Sequence, residues 1–194
     1  EQIIEAGGDA LAVPCDLTKR DEAERLVAAT LETYGKLDVL VNSVGVNIPR
    51  RAIDELTVES WRMMIDSNLT AAFNLTQAVL PPMRNQSAGL IIHVSSIAAK
   101  RGDRSGIAYQ ASKAGVEALA RGTMEEERAK GIRVCVIFPG MVDTPLLQQR
   151  PAPPPPEVLA QVLQPEDVAE ACLFVMRLPA RAHVSEIIIA PAMV

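Results

Sequence analysis

Short apolar runs that alternate with segments of helical period constrain this chain more than any other feature. Ala10–Cys15, Leu37–Asn42, Leu90–Val94, Arg133–Phe138 and Glu186–Ile189 are rich in Val, Ile, Leu and Ala. Runs apolar on both faces suit the covered strands of a parallel sheet. Between them lie helical stretches. Glu1–Ala6 reads as the end of a helix stopped by Gly7-Gly8. Arg20–Tyr34 carries Ala23, Leu26, Val27, Thr30 and Leu31 at helical spacing and stops at Gly35. Val58–Met83 has Thr57 as its N-cap, with Trp61, Met64, Ile65, Leu69, Phe73 and Leu80 on or near one stripe. Tyr109 to about Lys130 is closed by Gly131, and Pro165 to about Leu178 opens with proline at its first helical position. This order predicts an α/β chain with a doubly wound, mostly parallel sheet in a three-layer α/β/α sandwich.

Length and composition narrow the options further. A chain of 194 residues suits one domain over 1–194, with 48% hydrophobic and 22% charged residues. Aromatics are scarce at 3%, so the core must rest on Val, Ile, Leu, Ala and Met. The formal charge is −5, with no basic stripe, which argues against a nucleic-acid partner. No apolar run reaches the roughly 20 residues that span a bilayer. The N-terminus lacks a secretory-signal pattern, and neither a membrane partner nor export is expected. Cys15, Cys135 and Cys172 are odd in number and far apart, so they read as buried thiols in a reducing, cytoplasmic setting rather than as disulfides or metal ligands.

Chemistry-bearing residues cluster where the strands end. Asp16-Leu17-Thr18, Asn42 to Gly45, Ser95-Ser96 and Pro139-Gly140 each follow a predicted strand. Beyond the carboxyl ends of the strands is where an open α/β sheet forms its ligand crevice. Tyr109 and Lys113, four apart, share one helix face, with Ser96 thirteen residues upstream of the tyrosine. Each has a plain alternative: a surface pair for Tyr109 and Lys113, a loop cap for Ser96, a polar helix interruption for Asn68, a capping carboxylate for Asp16. Gly45 and Gly140 alone would be turn residues, and Thr144 a loop hydroxyl. Their joint occurrence in this order favours a catalytic set. His93 and His183 read as structural, and Glu125-Glu126-Glu127-Arg128 as a solvated helix face.

On these motifs the chain resembles a short-chain dehydrogenase/reductase along essentially its whole length. The matching residues are Asp16, Asn42-Ser43-Val44-Gly45, Asn68, Ser96, Tyr109 with Lys113, and Pro139-Gly140 followed by Thr144. The resemblance implies a Rossmann-like fold and hydride transfer between a nicotinamide cofactor and a small ketone or secondary alcohol. Tyr109 would be the general acid/base, with Lys113 lowering the phenol pKa and holding the nicotinamide ribose. Ser96 would bind the substrate oxygen, and Asn68 would hold a water in a proton relay. Asp16 would meet the adenine edge with Leu17 packed beside it. Asn42, Gly45, Pro139, Gly140, Val142 and Thr144 would complete the cofactor site, Thr144 on the carboxamide. NADP or NAD is implied, with a slight lean to NADP from the closing Glu186–Pro191. Met141–Gln164, expected to be an irregular loop region, corresponds to a substrate lid. The Val58–Met83 and Tyr109 helices would build a homodimer or homotetramer, with Ala111, Ala114, Gly115 and Ala118 permitting close approach.

The sequence departs from the family pattern in two places. Ser43-Val44 stands where the family has Asn-Ala. The loop Thr-Gly-x-x-x-Gly-x-Gly and the strand whose end selects NAD or NADP do not occur. The expectation is a natural polypeptide beginning roughly 30 to 45 residues earlier, about one βαβ unit. A catalytically silent cofactor-binding relative is the rival reading, opposed by the intact Asn-Ser-Tyr-Lys set. Dehydration or epimerisation is a third, opposed by the short stretch after Pro139.

Overall fold

The computed structural model describes residues 1–193. The chain opens with α1 (Gln2–Glu5), α2 (Arg20–Tyr34) and β1 (Val39–Asn42), then α3 (Val58–Ile65), a π-helical turn Asp66–Thr70, and α4 (Ala71–Gln86). It continues through β2 (Gly89–Val94), α5 (Ile107–Glu127), β3 (Ile132–Pro139), the short α6 (Pro145–Gln148) and α7 (Pro156–Leu159), α8 (Pro165–Arg177) and β4 (Glu186–Ile189). The four strands form one parallel sheet in the order β1-β2-β3-β4.

Alternation along β2 and β3 separates two hydrophobic layers. Ile91 on β2 and Ile132, Val134, Val136 and Phe138 on β3 pack with Val27 of α2, Val79 and Met83 of α4, and Ala120 of α5. Leu90, Ile92, Cys135 and Ile137 point the other way, against Cys172 and Val175 of α8. Helices therefore cover both faces, as the sequence predicts. Covering is incomplete at β1, where Val39 and Val41 remain exposed.

Three expectations need correcting. Ala10–Cys15 forms no strand. Among the described residues β1 pairs only with β2, so residues 10–15 have the apolar pattern but no sheet neighbour. A strand is completed by a second backbone, which pattern alone cannot supply. Second, Val58–Met83 is not one regular helix. Thr57 caps it as predicted, in a reciprocal pair with Ser60, but the π-turn inserts an extra residue and rotates the helix beyond it. Phe73 consequently lies exposed, while Ala71, Ala72, Leu75, Val79 and Met83 are buried. Third, the Met141–Gln164 loop is not wholly irregular. It holds α6 and α7 and is pinched at its base, where Asp143 N–H donates to Leu163 O (2.8 Å) and Leu163 N–H to Met141 O (3.0 Å).

Buried polar groups are tied into the layers. Glu127, expected on a solvated helix face, is instead buried at the end of α5, where it meets Arg84 (2.6 Å) and Lys130 (3.0 Å), and Arg84 foremost holds its carboxyl down to about 2. His93 lies on β2 directly opposite Asn42 of β1 and is fully buried. Thr76 Oγ1 donates its proton to Ala72 O (2.7 Å), so His93 Nε2–H must donate to Thr76 Oγ1 (3.3 Å). His93 Nδ1 is then the acceptor for Asn42 Nδ2 (3.1 Å). The ring is neutral: burial first, and the Lys113 charge second, lower its pKa from 6.5 to about 4.

A depressed histidine pKa gives stability that is complete above 6.5 and is lost as pH falls toward 4. Over the whole window it amounts to about 3 kcal/mol. Denaturant unfolding of wild type and His93→Asn at pH 7.5 and 4.5 should show the wild type losing about 2 kcal/mol more than the variant. Equal losses would contradict a neutral, hydrogen-bonded His93.

Candidate active site

Beyond the ends of β1, β2 and β3 lies a cavity of about 1230 Å³. Ser96, Tyr109 and Lys113 all line it, together with Gly45, Pro139, Gly140, Val142 and Thr144. Asn42 and Asn68 stand behind this lining. Asp16 and Leu17 are not on the wall. Asp16 accepts hydrogen bonds from Thr18 N–H (3.1 Å) and Thr18 Oγ1 (2.7 Å) at the start of α2, and Leu17 O accepts from Asn74 Nδ2 (3.0 Å).

Lys113 is the centre of the arrangement. Its side chain is buried, and its ammonium donates to Val94 O (3.2 Å) at the end of β2 and to Val44 O (3.4 Å) in the turn after β1. It has no carboxylate partner among the described residues, and burial lowers its pKa to about 8. With three donors and two carbonyls engaged, one N–H is left for the cavity. The Lys113 backbone is fixed too, since Ser95 Oγ donates to Lys113 O (2.9 Å).

The turn that meets Lys113 is built around it. A Cβ on Gly45 would fall 2.9 Å from Lys113 Nζ and 3.3 Å from Asn68 Oδ1, so only glycine lets the turn come this close. Asn68 Oδ1 accepts from Val46 N–H (2.7 Å), and its Nδ2 donates to Val46 O (3.1 Å) and to Ser112 Oγ (3.0 Å). Asn68 thus completes the turn's backbone as a strand neighbour would. It can do so because the π-turn points it inward; such turns recur where helices carry functional residues. Asn42 Oδ1 accepts from Val44 N–H (3.1 Å), which links the same turn to His93.

Tyr109 sits half-buried with Lys113 Nζ 5.8 Å from its ring centroid. The expectation that Lys113 lowers the phenol pKa does not hold in this arrangement. Burial, with the Asp103 charge, pushes the phenol up from its ordinary value, opposed by the nearby Ser96 hydroxyl and by the charges of Arg150 and Arg51. The ammonium faces the ring and is itself held by two carbonyls, so the tyrosine is a proton donor at neutral pH. Ser96 is N-terminal cap of the turn Ile97–Ala99, where its Oγ accepts from Ala98 N–H (3.2 Å).

Sequence reasoning missed Arg51, Ser105 and Arg150 on the cavity wall. No local pattern marks them, because they come from loops whose course depends on tertiary contacts. The helix-approach reading of Gly115 finds a partner within the chain: its Cβ would lie 2.6 Å from Leu69 Cδ2. Ala111, Ala114 and Ala118 remain exposed.

The family described as short chain dehydrogenase matches residues 1–154. An uncharacterized oxidoreductase of Staphylococcus saprophyticus is 38% identical over 176 residues, covering 91% of this chain and 73% of the relative. One from Staphylococcus aureus is 35% identical over 179 residues, covering 92% of this chain and 75% of the relative. Among solved structures, an alcohol dehydrogenase from the archaeon Thermococcus sibiricus complexed with 5-hydroxy-NADP superposes with a TM-score of 0.84 at 26% identity, over 98% of this chain and 78% of that one. A closed serine dehydrogenase complexed with NADP+ gives 0.86 at 29% identity, over 98% and 79%. With its parallel sheet covered on both faces, its strand-end cavity and these relatives, the chain belongs to the short-chain dehydrogenase family.

Proposed function

We propose that the chain is an NAD(P)-dependent oxidoreductase that interconverts a small ketone and a secondary alcohol, with Tyr109 as general acid/base. The observation that carries this reading is the convergence of Ser96, Tyr109 and Lys113 on one cavity wall, with a buried ammonium that lacks a counter-charge among the described residues. The residues suit a nicotinamide cofactor. The free donor of Lys113 fits a ribose hydroxyl, and Gly140, Val142 and Thr144 present a loop beside it. That cofactor would supply or accept the hydride. Relatives solved with NADP or its derivative favour NADP over NAD. The 1–194 stretch would be a single cofactor-binding domain acting on a small molecule in the cytoplasm. Exposed Trp61, Phe73 and Ala114 suit self-association as a homodimer or homotetramer.

The chain's own residues account for the proton. Ser96 Oγ would donate to the substrate oxygen, and Tyr109, protonated at neutral pH, would give its proton to the oxygen as charge builds there. In alcohol oxidation the phenolate form of Tyr109 would take the proton from the alcohol. Lys113 contributes a fixed positive charge near the reacting centre, within a wall of low polarity. Asp16 and Leu17 would serve the adenine end, with Asn42, Gly45 and Asn68 fixing the turn against Lys113 and Asn68 also holding the relay water. Pro139 closes β3 where the wall begins.

Tyr109→Phe should reduce kcat for ketone reduction with NADPH by about 10²–10⁴-fold. Equal turnover by both forms would remove Tyr109 from the mechanism. In the wild type, kcat/KM for reduction should be level below pH 8 and fall above it as Lys113 loses its charge; a profile rising through this range would contradict that role.

Lys113→Met separates function from stability. A lysine pKa lowered from 10.5 to about 8 means that the folded state binds fewer protons than the unfolded state between those values. Its burial therefore costs about 3 kcal/mol at neutral pH, and the cost disappears as pH rises toward 10.5. The variant should lose activity yet unfold at equal or higher denaturant concentration at pH 7. A large loss of stability would mean that the two carbonyl bonds outweigh the burial of the charge.

A further inference from the structure

The wall beside Tyr109 carries positive charge that the proton-transfer residues do not use. Arg51 is only 6% exposed, whereas the side chain of its neighbour Arg50 is 82% exposed. The stem of Arg51 is gripped by Gly106, where an added Cβ would lie 2.7 Å from Arg51 Cβ. Of its guanidinium, Nη2 donates to Gln149 O (2.8 Å), while the buried Nε has no partner. A second buried orphan, Ser105 Oγ, belongs to a residue that lines the same cavity. Among the described residues these are the two buried side-chain polar atoms left without a hydrogen bond. Leaving two buried polar groups unpartnered, one of them on a cation, is unfavourable unless a ligand supplies what they lack.

Arg150 adds to the imbalance. It lines the cavity, makes no ion pair among the described residues, and places Nη1 3.5 Å from Met141 Sδ, a weak contact. Arg101 lines the same cavity. Against these stands one acid on the wall, Asp103, which is exposed and accepts from Ser105 N–H (2.8 Å) without coming into ion-pair range of either Arg51 or Arg150. Burial, and then the Arg150 charge, disfavour the charged form of Arg51, with Asp103 and Tyr109 acting the other way.

We propose that Arg51, assisted by Arg150 and Ser105, binds a carboxylate on the substrate, so that the compound reduced or oxidised is an oxo acid or hydroxy acid rather than a neutral ketone or alcohol. The assignment rests on the oxidoreductase reading for the reacting carbonyl. The planar fork of a guanidinium matches a carboxylate bidentately, and two such groups on one wall fix the end of the substrate remote from Tyr109. Arg51 and Arg150 are positioning and specificity residues in this scheme.

The test compares acetoacetate with its neutral methyl ester in wild type, Arg51→Gln, Arg51→Lys and Arg150→Gln. Wild type should prefer the acid in kcat/KM, and the acid-to-ester ratio should fall at least tenfold in Arg51→Gln, about what one charge-assisted hydrogen bond gives. Arg51→Lys should recover part of it, and Arg150→Gln, which removes no backbone bond, should lower the ratio in the same direction. A wild-type preference for the ester, or equal losses on both compounds in Arg51→Gln and Arg150→Gln, would overturn the proposal and leave Arg51 as a prop for Gln149. Saturation-transfer NMR with acetoacetate decides the matter without turnover. Absence of turnover with both compounds would sink the oxidoreductase reading. Acetoacetate binding that survives in wild type and disappears in Arg51→Gln would still uphold the carboxylate site, and no binding to wild type would overturn it. Displacement of acetoacetate by an equal concentration of inorganic phosphate would overturn the choice of carboxylate in favour of a phosphate group.

Discussion

A single buried ammonium organises the cavity end of this molecule. Lys113 is withdrawn from water and, among the described residues, answered only by the carbonyls of Val94 and Val44. Those carbonyls come from the ends of two adjacent strands, so the charge can be held only if β1 and β2 stay in register. The His93–Asn42 bond across that register, and the bond from Val44 N–H to Asn42 Oδ1, keep the second carbonyl where Lys113 needs it. Gly45 must lack a side chain, and Asn68 must stand in for a neighbouring strand, for the same reason. The sheet, the turn and the π-turn are thus three answers to one electrostatic requirement.

Charge is treated differently elsewhere. Glu127 is buried but meets two cations, and Glu117 meets both Lys100 (2.9 Å) and Arg121 (2.9 Å). These pairs join helices to one another and to the chain's outer turns, where compensation costs no function. Inside the cavity the rule reverses. Among the described residues neither Lys113 nor Arg51 has an acid within ion-pair range.

Much of this was legible in the sequence, for physical reasons that can be traced residue by residue. Arg20–Tyr34 and Glu186–Ile189 were bounded correctly because Gly35 and the β-branched run Ile187–Ile189 act locally. Ser96, Tyr109 and Lys113 could be placed on one wall because strand ends and helix spacing are also local signals. Ala10–Cys15 misled because a strand needs a neighbour as well as a pattern. The π-turn was hidden because Asp66–Thr70 has no residue that distinguishes it from ordinary helix. Arg50 and Arg51 are adjacent and chemically identical, and only the packing of Gly106 over the second separates a solvated charge from a buried one.

The π-turn has a consequence for how the long helical run is partitioned. Before it, α3 lies against α5; after it, α4 serves α2 and the sheet. One extra residue shifts the second half around the axis, so the run carries two separate addresses rather than one continuous stripe. Asn68 sits at the joint and belongs to neither. The run therefore works as a vernier: each half can be repacked against its own neighbours while the inward residue between them keeps its aim.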